Sequence, residues 1–185
     1  MSTDSRPVVV PLAPGFEEIE TVAIVDVLRR AEIAVVTASV DGNREVEGSH
    51  GIALIADTTL DSIDADGVRA VVLPGGMPGA QHLHDDDRVQ SLVRSVAVAG
   101  GITAAICAAP WALSRTGVTA ERRATSYPTF RDRVACREYE RDAVVVDGPV
   151  ITSRGPGTAL QFAAALVAAL KGPGTAADLR EAMLF

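Results

Sequence analysis

Ile102-Thr103-Ala104-Ala105-Ile106-Cys107-Ala108-Ala109-Pro110 carries the strongest structural signal in the chain. Its first five residues are nearly all apolar, which is typical of a parallel strand that is buried on both faces. Pro110 suits the first turn of a helix, and a helix is therefore expected over 109–116. Cys107 is accordingly predicted to lie at the join between a strand and a helix.

Short Val- and Ile-rich runs alternate with helix-like segments around this join. Strands are expected over 8–12, 33–40, 70–73 and 102–106, helices over 17–30, 87–99 and 109–116, and hairpin-like pairs over 44–48 with 52–56 and 143–147 with 149–152. An Ala-rich helix ending at Lys171 and a short terminal helix complete the chain. This alternation predicts an α/β three-layer sandwich with a mostly parallel central sheet. With 185 residues, the chain 1–185 is interpreted as a single domain.

Composition excludes several classes of function. The net charge is minus 7, and no predicted helix face carries a Lys/Arg cluster, which argues against a nucleic-acid groove or an anionic membrane surface. The polar segment 1–7 does not resemble a signal peptide, and the apolar segment 159–170 is too short to span a bilayer, so a cytoplasmic protein is expected. Cys107 and Cys136 are the only cysteines, so neither a disulfide framework nor a cysteine metal site is expected.

The predicted position of Cys107 favours a reactive thiol. The positive end of a helix and its free backbone N–H groups stabilise a thiolate, so the pKa is expected to fall by about one to several units from its usual value near 8.5. Small alanines on both sides permit the strained backbone of a nucleophile elbow. The alternative is a buried, inert cysteine, and the local sequence alone does not decide between the two.

Glu20 is the candidate partner of this thiol. It lies on the same helix face as Ile24, Val27 and Leu28, so its carboxyl group is expected to be buried and to need a partner or a proton. A protonated Glu20 could donate a hydrogen bond to a thiolate and later transfer the proton. Its neighbours in 17–18 are interpreted only as favourable charges at the start of a helix.

The glycine pair in Leu73-Pro74-Gly75-Gly76-Met77-Pro78-Gly79 follows another predicted strand end. A glycine-rich turn in this position is usually no more than a tight turn, and this one lacks the Gly-Lys-Ser/Thr ending of a phosphate loop. If it lies beside Cys107, the N–H groups of Gly76 and Ala108 would form an oxyanion hole.

Several motifs together resemble the ThiJ/PfpI superfamily, in the branch that contains the human Parkinson-disease protein deglycase and its bacterial chaperone-like relatives. The resemblance covers nearly the whole chain, in the same order. It rests on Glu-Glu-Ile-Glu-Thr-Val (17–22), Val-Leu-Pro-Gly-Gly (72–76), Gly-Ala-Gln (79–81), Ala-Ala-Ile-Cys-Ala-Ala-Pro (104–110) and Thr-Ser-Arg-Gly-Pro-Gly-Thr (152–158).

This resemblance implies a flavodoxin-like sandwich that forms a homodimer. Cys107 would be the nucleophile and the oxidation-sensitive thiol, Glu20 the protonated glutamate that contacts it, and Gly76 with Ala108 the oxyanion N–H pair. The activities implied are cofactor-free conversion of methylglyoxal or glyoxal to hydroxy acids, repair of early glycation adducts, and redox-linked chaperoning. Neither a cofactor nor a metal is expected.

One position departs from the family pattern. Many members carry a His near the cysteine, whereas this chain has Tyr127 in Thr125-Ser126-Tyr127-Pro128. With a pKa near 10, a tyrosine is a poor general base at neutral pH, although its hydroxyl could hydrogen-bond a substrate or the thiol. All three histidines precede Cys107, so no Cys–His pair is evident.

The remaining polar candidates have simpler interpretations. His82 and His84, two residues apart before three aspartates, are expected in a loop that ends in an Asp helix cap rather than in a metal site. His50 is either an exposed turn residue or a substrate contact. Cys136 is expected to be peripheral. Arg154 is expected to cap or pair structurally, with binding of a substrate carboxylate as the alternative.

Three hypotheses about function follow. The leading one is a Cys107-dependent glyoxalase or deglycase acting on a small aldehyde or a glycated protein. The second is a redox sensor or chaperone-like protein whose Cys107 oxidises to sulfinate. The third, a peptidase or glutamine amidotransferase, requires a His paired with the cysteine and is ranked last.

Overall fold

A computed structural model describes residues 5–185. Its strands are β1 Val8–Leu12, β2 Val35–Ser39, β3 Glu45–Glu47, β4 Ala53–Ile55, β5 Thr58–Thr59, β6 Ala70–Leu73, β7 Ile102–Ile106, β8 Arg123–Ala124, β9 Glu138–Tyr139, β10 Val144–Asp147 and β11 Val150–Ser153. Its α-helices are α1 Glu18–Arg30, α2 Gly79–Asp85, α3 Asp87–Val98, α4 Ala109–Ser114, α5 Ala159–Lys171 and α6 Pro173–Met183.

The central sheet has seven strands in the order β10-β11-β7-β6-β1-β2-β5. Every pairing in it is parallel except that of β10 with β11, which forms an antiparallel hairpin at one edge. The carboxyl ends of β1, β6, β7 and β11 therefore lie along one edge of the sheet, where ligands bind in open α/β folds.

Alternation along the strands divides the core between the two faces of the sheet. In β1, Val8, Val10 and Leu12 belong to the cluster that packs on α1 and α5, whereas Val9 faces the cluster on α3 and α4. Because both faces are covered, the strands need apolar residues at every position, which explains the continuous apolar run of β7. The architecture is therefore the expected mostly parallel α/β three-layer arrangement.

Most element boundaries agree with the sequence prediction to within two residues, and β6 and β7 agree at both ends. Both predicted hairpins are present, as β3 with β4 and β10 with β11. The short strands β5, β8 and β9 were not predicted, because two residues carry no periodicity. Within residues 5–185, no helix is long and apolar enough to cross a membrane.

The loop expected around His82 and His84 is wrong, because these residues lie on helix α2. Ala80 and Leu83, three positions apart, are buried on its inner face. The expected Asp cap is present in Asp86, whose side chain accepts hydrogen bonds from the first turn of α3. The aspartate was correctly interpreted as a helix start, but a second helix ends immediately before it.

Candidate active site

Cys107 occupies a strained turn at the carboxyl end of β7. Its φ angle is 63°, in the left-handed region that is unfavourable for a residue with a side chain. The turn is held on both sides, because the Cys107 N–H donates to the carbonyl of Ser153 at 3.0 Å and the Cys107 carbonyl accepts from the N–H of Tyr127 at 2.7 Å. Ser153 was missed by the sequence analysis, which quoted its motif without giving this residue a role.

Glu20 lies beside this turn in a fully buried position, as its helical spacing predicted. Its Oε2 accepts a hydrogen bond from the N–H of Gly75 at 2.8 Å, and its carboxyl group shares a hydrogen bond with the Cys107 thiol. Its other oxygen, Oε1, has no hydrogen-bond partner within residues 5–185. Burial raises the pKa of Glu20 from 4.5 to about 7, so the carboxyl group holds a proton up to neutral pH.

The two glycines of the 75–76 turn are required by close packing. A Cβ atom on Gly75 would lie 2.6 Å from the Cβ of Cys107 and 2.7 Å from Oε2 of Glu20. Gly76 has a φ of 89°, and a side chain there would collide with the backbone of 15–17. The glycine turn therefore does more than reverse the chain, because it allows β6 to approach the thiol closely.

Two backbone N–H groups, those of Gly76 and Ala108, donate hydrogen bonds toward the Cys107 sulfur. These are the groups that the sequence analysis singled out as a possible oxyanion hole. The structure brings them to the thiol, and their role in stabilising an oxyanion stays a prediction.

The expected lowering of the Cys107 pKa is not what the structure produces. Burial raises the pKa of the thiol to about 12, and the negative charge of Glu20 adds to the effect, while the two N–H donors oppose it. The sequence argument relied on the helix that follows, but α4 has only six residues and its terminal field is weak. The cost of removing the thiolate from water exceeds that contribution.

Cys107 and Glu20 consequently behave as one titrating unit. Their pKa values lie near 12 and 7, so the pair loses its first proton near neutral pH and keeps the second. Because the thiol has the higher pKa, the remaining proton lies mainly on Cys107. The reactive thiolate is the minor arrangement, in which that proton has moved to Glu20.

Glu17 and Glu18 are not merely favourable charges, because both side chains are buried. Glu17 caps α1 by accepting a hydrogen bond from the N–H of Glu20 at 2.7 Å. Glu18 accepts from the backbone N–H of His50 at 2.6 Å and from the neighbouring 49–52 turn. Burial opposes ionisation of Glu18, but the hydrogen bonds from His50 and its neighbours lower its pKa to about 2. The sequence could not reveal this pairing across 32 positions.

His50 is exposed, as one of its two interpretations expected. Its Nδ1 lies 2.8 Å from Oε2 of Glu18, and this contact raises the pKa of the imidazole. Glu17, Glu18 and His50 bring one potential metal ligand each within 4.8 Å of one another, the one such group in the described part of the chain. Glu18 already accepts several hydrogen bonds, so the cluster is fully explained as an anchor for the 48–52 turn.

Tyr127 and Arg154 line an open cavity of about 270 Å³ together with the loop 155–158. The contact between Tyr127 and the Cys107 turn runs through its backbone N–H, and its side chain is 43% exposed. Arg154 donates from Nη1 to the carbonyl of Arg141 at 3.1 Å and makes no ion pair with any carboxylate of residues 5–185. The expected structural pairing is thus a single hydrogen bond to a loop.

The other two histidines contact partners other than Cys107. His82 contacts the carbonyl of Pro14 through Nδ1, and His84 stacks on Trp111 with ring centroids 4.1 Å apart. Neither is brought together with the thiol, in agreement with the absence of a Cys–His pair. Cys136 is half-buried, and burial raises the pKa of its thiol.

Comparisons with known proteins identify one family. The DJ-1/PfpI family model matches residues 6–169. The chain is 40% identical over 182 residues to the protein dj-1beta of Drosophila melanogaster, covering 97% of each. It is 35% identical over 159 residues to the glutathione-independent glyoxalase DJR-1.2 of Caenorhabditis elegans, covering 85% of this chain and 84% of the relative.

Among solved structures, oxidized DJ-1 of Toxoplasma gondii superposes with a TM-score of 0.92 at 33% identity, covering 97% of this chain and 98% of that one. The fold, the order of the motifs and the sequence relatives therefore lead to the same conclusion. The chain belongs to the DJ-1/PfpI family.

Proposed function

We propose that this protein is a glutathione-independent glyoxalase, or a deglycase, in which Cys107 is the nucleophile at the elbow after β7. The observation that carries the proposal is the pair formed by the partly buried Cys107 thiol and the buried Glu20 carboxyl group, which lies next to two N–H donors and titrates near neutral pH. The relative in Caenorhabditis elegans, named as a glutathione-independent glyoxalase, supports the reaction class. The substrates proposed for the present chain are small 2-oxoaldehydes, namely methylglyoxal and glyoxal, or early glycation adducts.

The reaction begins with addition of the thiolate to the aldehyde carbon of methylglyoxal. The carbon–sulfur bond forms, the carbonyl electron pair moves to oxygen, and that oxygen takes the proton of Glu20 to give a hemithioacetal. The N–H groups of Gly76 and Ala108 stabilise the developing negative charge. Glu20 is left as a carboxylate beside the C1–H bond, ready to act as a base.

Glu20 then removes the proton from C1 and returns it to C2. The hydroxyl proton moves from the oxygen on C1 to the oxygen on C2, so the enediolate intermediate becomes a thioester of lactate. Water hydrolyses the thioester to lactate and the free thiol, one proton leaves to solvent, and the pair returns to its one-proton state. The sum is methylglyoxal plus water giving lactate and a proton.

The test is lactate formation from methylglyoxal in the absence of glutathione. Wild type and Cys136→Ser should produce lactate at equal rates, because Cys136 interacts with neither Cys107 nor Glu20. Cys107→Ser should lose the activity, and Glu20→Gln should lose most of it. Equal rates in wild type and Cys107→Ser would eliminate the mechanism.

A second candidate function is redox sensing coupled to chaperone-like activity. The N–H groups of Gly76 and Ala108, together with a protonated Glu20, would stabilise a sulfinate formed when two equivalents of peroxide each transfer one oxygen to the sulfur and leave as water. The Toxoplasma gondii relative was solved in a form described as oxidized. Peptide mass spectrometry after mild peroxide treatment tests this function, and oxidation of Cys136 with Cys107 unmodified would refute it.

A homodimer is part of the same proposal. Ile19, Val22, Ile52 and Ile55 are 48–73% exposed on α1 and the β3–β4 hairpin, and so much apolar surface favours contact with a second copy. Light scattering should give twice the chain mass for wild type and a lower mass for Ile55→Glu. A monomeric wild type would refute the dimer.

A further inference from the structure

We infer that the cavity between Tyr127 and Arg154 binds a carboxylate group of the substrate. The enzyme would then prefer 2-oxoaldehydes that carry a carboxylate at the end of the molecule opposite the aldehyde. The inference rests on the proposed function and extends it from a reaction to a substrate class. The cavity has a volume of about 270 Å³, enough for a short acid chain.

The Arg154 guanidinium has donors to spare for a ligand. Its Nη1 donates to the carbonyl of Arg141, and its other nitrogens have no hydrogen bond to any residue of 5–185. By contrast, Arg122 and Arg123 both pair with Asp147. Arg154 thus presents unused donors in the fork geometry that matches a carboxylate, and its charge is not neutralised within the described chain.

Both sides of the cavity are attached to the Cys107 turn. Arg154 follows Ser153, whose carbonyl accepts the Cys107 N–H at 3.0 Å, and Tyr127 donates its N–H to the Cys107 carbonyl at 2.7 Å. The two side walls of the cavity are therefore fixed to opposite sides of the peptide that carries the nucleophile. Cys107 does not itself line the cavity, but a ligand group held there is anchored by the two segments that hydrogen-bond the Cys107 backbone.

Glycines shape the wall of the cavity. A Cβ atom on Gly155 would lie 3.2 Å from Cδ2 of Tyr127, so glycine lets the tyrosine ring pack closely against the loop. A Cβ atom on Gly157 would meet nothing within 4 Å, which leaves the space beside Arg154 open. The Tyr127 side chain is exposed, and its hydroxyl, which has no hydrogen-bond partner among residues 5–185, is a second available donor.

The substrate predicted by this arrangement has an aldehyde for Cys107 and a carboxylate a few atoms away for Arg154. The probe is 4,5-dioxopentanoate, and its neutral match is 2-oxopentanal, which has the same chain length without the carboxylate. Wild type should turn over the charged probe with the higher kcat/KM. The ratio of the two kcat/KM values should fall about tenfold to a hundredfold in Arg154→Met.

Two further variants isolate the cause. Arg154→Lys should restore part of the ratio, because it keeps the charge. Arg94→Met, which removes an exposed arginine on α3 outside the cavity, should leave the ratio unchanged. A ratio that Arg154→Met leaves unchanged, or that Arg94→Met lowers equally, would overturn the inference.

A binding measurement separates failure of this inference from failure of the proposed function. Calorimetry would compare 2-hydroxyglutarate with 2-hydroxypentanoate on the Cys107→Ser variant, where no turnover is needed. The dicarboxylate should bind at least about tenfold more tightly, and Arg154→Met should abolish the difference. Equal binding of the two acids refutes the carboxylate site, whereas Arg154-dependent binding without turnover of either aldehyde refutes only the reaction.

Discussion

Replacing Glu20 by Gln should stabilise the protein at alkaline pH while it destroys activity. The pKa of this buried carboxyl rises from 4.5 to about 7. Each pKa unit corresponds to about 1.36 kcal/mol, so ionised Glu20 destabilises the fold by about 3 kcal/mol above pH 7. Gln has the same shape, its Oε1 can still accept from the N–H of Gly75, and it is never ionised.

The sign of the pH dependence follows from proton binding. Below pH 4.5, Glu20 is protonated in both the folded and the unfolded chain, so its titration does not affect stability. Between pH 4.5 and 7 the unfolded chain loses this proton and the folded protein retains it, so wild type loses stability as the pH rises. The Glu20→Gln variant lacks this titration, so its free energy of unfolding should increase relative to that of wild type across that range.

Denaturant unfolding at pH 4, 6 and 8 under reducing conditions measures the effect. The free energy of unfolding of Glu20→Gln relative to wild type should increase by about 3 kcal/mol between pH 4 and pH 8. Glu45→Gln, on the exposed β3 strand, is the matched control and should show no comparable change. A difference between Glu20→Gln and wild type that is constant with pH would refute the account of a buried, proton-holding carboxyl.

Three more predictions concern the same site. Cys107→Ala removes the thiol hydrogen bond that lowers the Glu20 pKa, so the pKa of Glu20 should be higher in this variant than in wild type. Infrared titration of the carboxyl stretch measures this pKa, and a lower value in the variant would contradict the hydrogen bond. Gly75→Ala should lower the free energy of unfolding by about 1–3 kcal/mol, because its Cβ atom would overpack the site. Gly67→Ala is the control and should have little effect, because a Cβ atom there has no neighbour within 4 Å. Equal effects of the two substitutions in denaturant unfolding would refute the close packing of Gly75. Glu18→Gln should destabilise the protein by about 1–3 kcal/mol near neutral pH. Because the Glu18 pKa is lowered to about 2, the difference in unfolding free energy between wild type and Glu18→Gln should disappear as the pH falls from 4.5 toward 2. A difference that disappears only at alkaline pH would contradict this role of Glu18.

The sequence was most informative where local pattern determines structure. The apolar run of β7 and Pro110 located the Cys107 turn, and the helical spacing of Glu20 placed its carboxyl group inside the protein. The glycine pair of 75–76 had no distinct meaning until its distance to Cys107 and Glu20 was known. The β7 run and the spacing of Glu20 depend on neighbours a few positions away along the chain, so the sequence alone could predict their consequences.

Features that depend on distant contacts could not be predicted in the same way. The anchoring of His50 by Glu18 and the support of the Cys107 turn by Ser153 join segments 32 and 46 positions apart. The direction of the Cys107 pKa was wrong for a related reason, since the sequence shows a following helix but does not show how deeply the thiol is buried. Burial is a property of the whole fold.

The pH dependence of Cys107 alkylation by iodoacetamide, followed by mass spectrometry, tests the claim of a one-proton Cys107–Glu20 pair most directly. The account predicts that the rate in wild type rises with a midpoint near pH 7, where the pair loses its first proton. Glu20→Gln should lack that midpoint, because no carboxyl is then available to hold the remaining proton. A wild-type midpoint near the ordinary thiol value of about 8.5, unchanged by Glu20→Gln, would contradict the account.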